Sequence, residues 1–267
     1  MPLYPVKEKL AAGQPVFGTM ITECLRPEVV AALAACGVDF FIIDTEHSPG
    51  DLHEIEALAR AARHFGIAPL VRITDNEYFL IARTLDCGAA GVVMPRIHCA
   101  DDARRVVEAV KYPPVGKRGF GLRSIHTDFS GMGTAEAIER ANRETIIVVQ
   151  VEYQEALDDL ENIVAVPGVD ATMIGPQDLS ISLGVPGQFG HEKMKAAFRR
   201  VAEVCGRSPV AAGIHMGDLA RLLELKAEGY RFLIYSADLA LIMQALKQGI
   251  QALRSGASSA PAKAGMY

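Results

Sequence analysis

Short apolar runs rich in β-branched residues alternate along the chain with longer runs whose apolar positions recur every three to four residues. The apolar runs predict strands, and the amphipathic runs predict helices. The predicted strands are Val16–Ile21, Phe40–Thr45, Pro69–Ile73, Gly91–Ile97, Ile146–Tyr153, Ala171–Gly175, Val210–His215 and Arg231–Ser236. The predicted helices are Arg26–Cys36, Leu52–Phe65, Tyr78–Cys87, Ala100–Tyr112, Glu155–Val166, Glu192–Cys205, Asp218–Glu228 and Leu239–Arg254.

These eight strand–helix units favour an α/β fold, a single (β/α)8 TIM barrel. Strands that are apolar on both faces belong to a parallel sheet covered by helices, and about 250 residues is the usual size of such a barrel. An open doubly wound sheet usually has a glycine-rich turn after its first strand, whereas Thr19–Glu23 contain no glycine. We predict a barrel domain over residues 1–254 and a flexible tail over residues 255–267.

Composition and charge exclude several classes of function. The chain has 27 Lys and Arg against 32 Asp and Glu, a formal charge of −5, so no general attraction for nucleic acid is expected. The N-terminus carries no apolar signal region and no stretch is apolar enough to span a bilayer, which predicts a cytoplasmic protein without a membrane partner. The cysteines are at least twelve positions apart, which argues against a CxxC metal or redox pair.

Charged residues follow the second and third predicted strands, at the end of the barrel where catalysis takes place in this fold. The second strand leads into Asp44-Thr45-Glu46-His47, which suits a histidine held by a carboxylate for proton transfer. A polar turn with a helix cap is the alternative. Arg72 ends the third strand and would hold a substrate carboxylate or a developing oxyanion, unless it forms an internal ion pair with Asp44 or Glu46.

Two carboxylates follow the fifth and sixth strands, which are neighbours in a barrel. The fifth ends in Gln150-Val151-Glu152 and the sixth in Gly175-Pro176-Gln177-Asp178. Glu152 and Asp178 can therefore converge, and oxygen ligands of this kind suit a hard divalent cation. An acid–base dyad or a pair of helix caps is the alternative, and the amides near Asp178 could also bind an anion.

Other polar positions give weaker indications. His215 ends the seventh strand, where it either lines the mouth of the barrel or is a hydrogen-bonded rim residue. Asp238 is expected to be the N-cap of the last helix. The long connection Pro113–Asn142 contains a glycine-rich stretch flanked by Arg118 and Arg123, which is either a flexible loop or one that faces an anion.

Taken together, these motifs resemble the HpcH/HpaI aldolases, which are metal-dependent (class II) pyruvate aldolases. The motifs that carry the resemblance along Val16–Ile250 are Asp44-Thr45-Glu46-His47, Val71-Arg72, Met94-Pro95-Arg96, Arg118-Gly119, Gln150-Val151-Glu152 and Gly175-Pro176-Gln177-Asp178-Leu179-Ser180. The resemblance implies an enzyme that cleaves or forms 4-hydroxy-2-oxo acids. Its small-molecule substrates would be pyruvate, or a close 2-oxo acid analogue, and an aldehyde. Its cofactor would be Mg²⁺, Mn²⁺ or Co²⁺.

The resemblance also implies catalytic roles for individual residues. Glu152 and Asp178 would bind the metal, and Arg72 would steady the enolate of pyruvate. His47, paired with Asp44, would be the acid–base dyad. The alternatives are a citrate-synthase-like or citrate-lyase β-like enzyme on the same scaffold, and a barrel that binds 2-oxo acids without catalysis, because fold alone does not decide function.

Further residues are implied in substrate binding and in assembly. The substrate-binding set lies at the ends of the third, fifth, sixth and seventh strands and comprises Arg72, Gln150, Gly175, Pro176, Gln177, Asp178 and His215. Arg118 and Arg123 would border the aldehyde pocket. Family members are typically homohexamers with the last helix packed on a partner barrel, and Asp86 matches a position that reaches a neighbouring subunit's site.

Overall fold

Eight parallel strands close into a barrel in chain order, which confirms the predicted (β/α)8 fold. The computed structural model describes residues 3–121, 127 and 131–256. Each strand pairs with the next one along the chain, and the last pairs with the first. The strands are β1 (Val16–Ile21), β2 (Phe40–Asp44), β3 (Ala68–Arg72), β4 (Gly91–Met94), β5 (Ile146–Val151), β6 (Ala171–Ile174), β7 (Gly213–Met216) and β8 (Phe232–Ala237).

Helices connect the strands and cover the outside of the barrel. They are α1 (Val6–Ala11), α2 (Pro27–Ala35), α3 (Leu52–Phe65), α4 (Tyr78–Asp86), α5 (Ala100–Val110), α6 (Thr134–Glu144), α7 (Gln154–Asp158), α8 (Leu160–Val164), α9 (Pro176–Ser182), α10 (Glu192–Gly206), α11 (Leu219–Ala227) and α12 (Asp238–Ser255). Their apolar faces form one buried cluster with the outward-facing side chains of the strands.

Apolar side chains fill the interior of the barrel. The rings of Phe40 and Phe232, from the two strands that flank β1, stack with centroids 4.3 Å apart. Gly18 lies beside them on β1, and a Cβ there would come within 2.5 Å of the Phe40 ring. Since real side chains do not approach so closely, glycine at this position allows the two rings to pack.

The amino end of the barrel is closed by α1. Val6 and Leu10 are buried in the interior cluster, and the Lys7 ammonium lies 2.9 Å from the carboxylate of Asp170, just before β6. The sequence pattern does not predict this helix, because six residues are too few to show a clear period. Among the described residues, α1 therefore packs across the amino end of the barrel.

Two predicted segments differ from the structure by more than the position of an end. The long connection Pro113–Asn142 contains most of α6, whose single buried residue, Ala137, gives too weak an apolar pattern to predict a helix. The predicted helix Glu155–Val166 is interrupted at Asp159, between α7 and α8. The Asp159 carboxylate accepts a 2.7 Å hydrogen bond from the N–H of Ala100 at the start of α5, and this contact accompanies the break.

The ends of the chain are described only in part. Residues 257–267 of the predicted tail lie outside the described residues, so the division at residue 254 stays a prediction. Within residues 3–121 and 131–256, no helix combines the length and the apolar character that crossing a membrane requires.

Candidate active site

A cavity of about 800 Å³ opens at the carboxyl ends of the strands. Residues singled out from the sequence line it: His47, Arg72, Gln150, Gly175, Pro176, Gln177, Asp178 and His215. The remaining lining residues come from the end of β7, from α10 and α11 and from the loop before α10, and include Phe189, Lys195, Asp218, Arg221 and Glu224. The barrel therefore brings side chains that are distant in sequence around one space.

Asp44 and Arg72 form a buried ion pair on this wall. They are register partners at the ends of β2 and β3. Arg72 donates from Nε to Oδ1 of Asp44 at 2.9 Å and from Nη2 to Oδ2 at 2.6 Å. Burial alone would raise the pKa of the Asp44 carboxyl, but the hydrogen bonds and charge of Arg72 outweigh burial and hold that pKa below its ordinary value.

The expected side-chain pairing of His47 with Asp44 is not found in the described part of the chain, and that expectation is corrected. Asp44 Oδ1 accepts from the backbone N–H groups of Glu46 and His47, at 3.0 and 3.4 Å, while Arg72 occupies the rest of the carboxylate. The imidazole of His47 faces Glu46 instead, with Nε2 4.0 Å from Oε2. Asp44 does not pair with the imidazole of His47 because the register of β2 and β3 places its carboxylate next to Arg72.

Glu46 is a mostly buried carboxylate between several charged groups. Its Oε2 lies 3.5 Å from Nη1 of Arg72, and its Oε1 lies 3.9 Å from Nε of Arg96. Oε2 accepts no hydrogen bond from the described residues. Burial raises the pKa of Glu46 above its ordinary value; the charge of Arg72 opposes this shift, and the charge of Glu152 reinforces it.

Gln150 and Glu152 lie together at the end of β5. The Gln150 amide donates to Oε2 of Glu152, and the N–H of Arg96 donates to Oε1 at 2.7 Å. Arg96 has a φ of 59°, a strained backbone conformation for a residue with a side chain. Gly175 packs against this pair, since a Cβ there would lie 3.0 Å from Nε2 of Gln150 and 3.5 Å from Oε2 of Glu152.

The donor atoms on this side of the cavity are oxygens, and they suit a hard divalent cation. Oε1 of Gln150 is buried and accepts no hydrogen bond from the described residues, so it is free for a ligand. Asp178 lines the same cavity from the first turn of α9. Burial raises the pKa of the adjacent Tyr153; the charges of Glu152 and Asp178 add to that rise, and the charge of Arg96 opposes it.

The described residues contain no group of three or more His, Cys, Asp or Glu side chains arranged to hold a metal ion. A cation near Glu152 and Asp178 would therefore depend on two carboxylates and take its other ligands from water or substrate. This pattern is typical of Mg²⁺, which dehydrates reluctantly and is commonly held by one or two carboxylates.

His215 lines the cavity and is also hydrogen-bonded within the fold. Its Nε2 lies 3.0 Å from the carbonyl oxygen of Ser236 on β8. Burial lowers the pKa of His215 below its ordinary value, and the Ser236 carbonyl opposes that shift. His215 therefore both lines the mouth of the barrel and is hydrogen-bonded at its rim, so each of the two interpretations from the sequence describes part of its environment.

Asp238 does not have its expected place as the N-cap of the last helix. It is the first residue of α12, after Ala237, and its carboxylate accepts from the N–H groups of Glu23 and Cys24 at 2.9 and 2.7 Å and from the Thr22 hydroxyl at 2.7 Å. Burial alone would raise the pKa of Asp238, but these hydrogen bonds lower it to about 2. Asp238 thus ties the start of α12 to the segment after β1.

Arg118 does not border the mouth of its own barrel, which corrects the predicted acceptor loop. It is buried and lies 2.6 Å from Asp86 at the end of α4, over the ring of Tyr112. It lines a small cavity together with Ala90 and Thr145, which immediately precede β4 and β5, so it belongs to the amino end of the barrel. Arg123, the other predicted loop residue, lies outside the described residues.

Several residues of the cavity could not be singled out from the sequence. Lys195, Arg221 and Glu224 have the spacing of ordinary solvated helix faces, and only the fold turns them toward the cavity. Arg96 belongs to the Met94-Pro95-Arg96 motif, which could have indicated a site residue, but a positive φ is not visible in a sequence.

Known proteins share these features over nearly the whole chain. A sequence model described as HpcH/HpaI aldolase/citrate lyase matches residues 21–245. The chain belongs to this family. It is 34% identical over 257 residues to a hydroxypyruvate/pyruvate aldolase from Paraburkholderia phytofirmans, with 94% of this chain and 98% of the relative covered. It is also 34% identical over 272 residues to a 2-keto-3-deoxy-L-rhamnonate aldolase from Escherichia coli, with 98% and 97% covered.

The structural comparison agrees with the sequence comparison. The crystal structure of an HpcH/HpaI aldolase from Desulfitobacterium hafniense superposes with a TM-score of 0.89 at 35% identity, covering 96% of this chain and 98% of the other. The predicted family is confirmed, and this HpcH/HpaI protein is a carbon–carbon lyase of the aldolase type. A citrate-forming or citrate-cleaving enzyme, or a non-catalytic barrel, is not favoured, because these relatives at about 34% identity are aldolases.

Proposed function

We propose that this HpcH/HpaI enzyme is a class II pyruvate aldolase that cleaves or forms 4-hydroxy-2-oxo acids with the help of a divalent cation. Cleavage gives an aldehyde and pyruvate or a close analogue such as hydroxypyruvate. The observation that carries the proposal is that Arg72, fixed by Asp44, shares one cavity with the oxygen donors of Gln150 and Asp178. The activities named for the two relatives support the substrate class.

Glu152 and Asp178 would hold the cation, with Gln150 adjoining Glu152. The candidates are Mg²⁺, Mn²⁺ and Co²⁺. When bound, the cation supplies the positive charge that stabilises the enolate formed as the carbon–carbon bond breaks.

Arg72 binds the oxo acid and stabilises negative charge on it. Two N–H groups of Arg72 donate to Asp44, and the guanidinium has further donors on Nη1 and Nη2. Because Arg72 lines the cavity, these donors can reach the ketone oxygen of the substrate as it becomes an enolate oxygen. The ion pair with Asp44 fixes the plane of the guanidinium in advance, which reduces the reorganisation needed during the reaction.

His47 moves the proton. Its imidazole accepts the proton of the substrate's 4-hydroxyl and the aldehyde carbonyl forms as the C3–C4 bond breaks. The electron pair of that bond passes into the enolate, which then takes a proton at C3 from water to give pyruvate. In the direction of synthesis, the same imidazole returns the proton to the new alkoxide. Its side chain is 64% exposed, so it can exchange the proton with solvent between turnovers.

The first turn of α9 holds the substrate carboxylate. Pro176 is the first residue of this helix, and the N–H groups of Gln177 and Asp178 have no partner within the helix because of their position. Gly175 keeps the backbone close to Gln150. A cavity of about 800 Å³ is much larger than a three-carbon acid, so the region beside His215 and Lys195 takes the aldehyde.

We also propose that the enzyme is a homo-oligomer, with a hexamer favoured by the family resemblance. Within α12, whose residues are all described, only Asp238 is buried, although Leu246 and Leu253 are apolar and 61% and 80% exposed. Such a face is covered in a stable assembly. Asp86 lies at the amino end of its own barrel, so it could serve a site only in a neighbouring subunit.

Metal-binding calorimetry tests the proposal directly. The protein is treated with a chelator, reloaded with Mg²⁺, Mn²⁺ or Co²⁺, and assayed for pyruvate release from a panel of 4-hydroxy-2-oxo acids. We expect Glu152→Gln and Asp178→Asn each to weaken Mn²⁺ binding by about 10²-fold, since each removes one of two charged ligands. Glu224→Gln, which removes a carboxylate elsewhere in the same cavity, should keep the affinity. Wild-type affinity in either ligand variant would refute the assigned metal site.

A further inference from the structure

We propose that His215 determines which aldehydes this enzyme accepts: Nδ1 of its imidazole accepts a hydrogen bond from the hydroxyl group of a hydroxylated aldehyde. The inference rests on the proposed function and deepens it, because it gives the chemical class of the aldehyde that would lie beside His215. It follows from the direction of the side chain, from the partner of Nε2 and from the surroundings of Nδ1.

The fold directs the imidazole into the barrel. Side chains alternate between the two faces of a strand, and Ile214 and Met216, on either side of His215, belong to the apolar cluster outside the strands. His215 therefore points to the interior, where it lines the cavity at the carboxyl ends of the strands. It keeps some exposed surface, whereas the other residues of β7 are buried. The ring is thus accessible to a ligand.

The carbonyl group of Ser236 fixes the position of the ring proton. Nε2 of His215 lies 3.0 Å from this carbonyl oxygen. Because a carbonyl oxygen can only accept, Nε2 is the donor and carries the proton. The Thr19 hydroxyl on β1 also reaches this oxygen, at 3.3 Å, and Ser236 has a φ of 58°, a strained conformation for a residue with a side chain. The backbone of β8 is therefore held in the orientation that binds Nε2.

The second ring nitrogen is left as an acceptor that faces the cavity. Burial lowers the pKa of His215 and the charge of Arg72 lowers it further, although the Ser236 carbonyl and the charge of Asp44 oppose the shift. The imidazole is therefore neutral at pH 7, and with the proton on Nε2 its Nδ1 can only accept. Nδ1 makes no hydrogen bond with the described residues and is not sealed inside the protein. It thus opens into the cavity that His215 lines.

An acceptor at this place selects the chemistry of its ligand. A carboxylate or a carbonyl oxygen has no proton to donate, so neither can bind Nδ1. A hydroxyl group can, and the hydroxyl on the carbon next to the aldehyde group would lie in the region proposed for the aldehyde. An alkyl group in its place would cover Nδ1 without supplying a donor, which is unfavourable. His215 should therefore favour hydroxyaldehydes over alkyl aldehydes.

The experiment compares glycolaldehyde with propanal, in which a methyl group of similar size replaces the hydroxyl. Aldol formation with saturating pyruvate and Mn²⁺ gives kcat/KM for each aldehyde, and the readout is the change in their ratio between variants. We expect His215→Leu to lower kcat/KM for glycolaldehyde by about tenfold, the effect of losing one hydrogen bond. The value for propanal should stay within about threefold of wild type.

Two other variants make the comparison specific. His215→Asn offers an amide oxygen near the position of Nδ1, so it should keep part of the preference for glycolaldehyde. His64→Leu makes the same change as His215→Leu at an exposed position in the last turn of α3, and it should leave the ratio unchanged.

Three results would count against the reasoning. Equal losses with both aldehydes in His215→Leu would show that His215 supports the site as a whole, and would overturn the inference while leaving the aldolase intact. If the loss appeared only when hydroxypyruvate replaced pyruvate, whichever aldehyde was used, the bound hydroxyl would belong to the oxo acid, which also overturns the inference. A wild-type protein that forms no aldol product with any of the three metals would instead refute the proposed function.

Discussion

Replacing Asp44 by Asn tests the central ion pair of the site. The substitution keeps the size of the side chain but removes its charge and turns one acceptor oxygen into an N–H donor. In the structure, that donor would face either Nη2 or Nε of Arg72, which are donors themselves. We therefore expect Asp44→Asn to release Arg72 from its fixed orientation and to leave a buried guanidinium with weaker compensation.

The burial of the pair sets the size of the effect. Asp44 is 1% and Arg72 is 8% exposed, and removing one partner of a buried ion pair costs about 3–5 kcal/mol. Glu46, 3.5 Å from Nη1 of Arg72, retains part of the compensation, and the asparagine keeps one acceptor oxygen. We expect the free energy of unfolding at pH 7 to fall by about 2–3 kcal/mol.

Urea unfolding followed by circular dichroism measures this loss, and its pH dependence gives a second check. The pKa of Asp44 in the folded chain lies below its ordinary value, so its carboxylate stabilises the fold above the ordinary aspartate pKa of about 3.9. That contribution is lost as the pH falls through the folded-state pKa. The difference in unfolding free energy between wild type and Asp44→Asn should therefore be full at pH 7 and shrink below about pH 4.

Activity distinguishes the two possible partners of Asp44. In the proposed mechanism Arg72 stabilises the enolate in aldol cleavage and also in oxaloacetate decarboxylation, which forms the enolate of pyruvate without removing a hydroxyl proton. Asp44→Asn should therefore lower kcat/KM for both reactions by about 10²-fold. If cleavage alone were lost and decarboxylation kept, Asp44 would be serving His47 after all. An unfolding free energy within about 0.5 kcal/mol of wild type at pH 7 would refute the energetic argument.

Two further predictions concern α12. Asp238→Asn should lower the free energy of unfolding by about 1–2 kcal/mol at pH 7 after allowance for solvent screening. Because the pKa of Asp238 is about 2, the difference in unfolding free energy between wild type and variant, measured by urea titration, should disappear on acidification. A difference that does not depend on pH would contradict a stabilising role for the Asp238 charge. Leu246→Glu and Ile250→Glu, both on exposed apolar positions, should each reduce the mass measured by light scattering, whereas Arg60→Glu on α3 should not. Unchanged mass in both apolar variants would mean that α12 is not the assembly surface.

The barrel could be predicted because its buried strands and its amphipathic helices produce different hydrophobic patterns in the sequence. Strands buried on both faces are continuous apolar runs, and the predicted bounds of β1 and α3 coincide with those of the structure. Differences occur at the strand ends, where the apolar pattern continues past the last strand residue, as at Ile73 after β3. The strand order of a barrel also places Glu152 and Asp178 on adjacent strand units, which is why the sequence predicts that they lie close together.

Side-chain partners could not be predicted in the same way, because they depend on register and on the path of the loops. Asp44 is close in sequence to His47, but the register of β2 and β3 places it opposite Arg72. The chain between α5 and α6 places Arg118 at the amino end of the barrel, although its glycine-rich surroundings suggest a substrate loop. Sequence proximity is a poor guide in both cases, since the strand pairing and the chain path decide the contacts.

The turn after β2 is held by hydrogen bonds that connect Asp44, His47 and Arg72. Asp44 Oδ1 accepts hydrogen bonds from the backbone N–H groups of Glu46 and His47, so the carboxylate that orients Arg72 also fixes the backbone at these two residues. The hydroxyl of Thr45 donates to the carbonyl oxygen of Arg72 at 2.7 Å and locks the same turn to β3. Asp44 therefore contacts both the side chain of Arg72 and the backbone of His47. Removing Asp44 should thus weaken both of the proposed tasks, enolate stabilisation by Arg72 and proton transfer by His47.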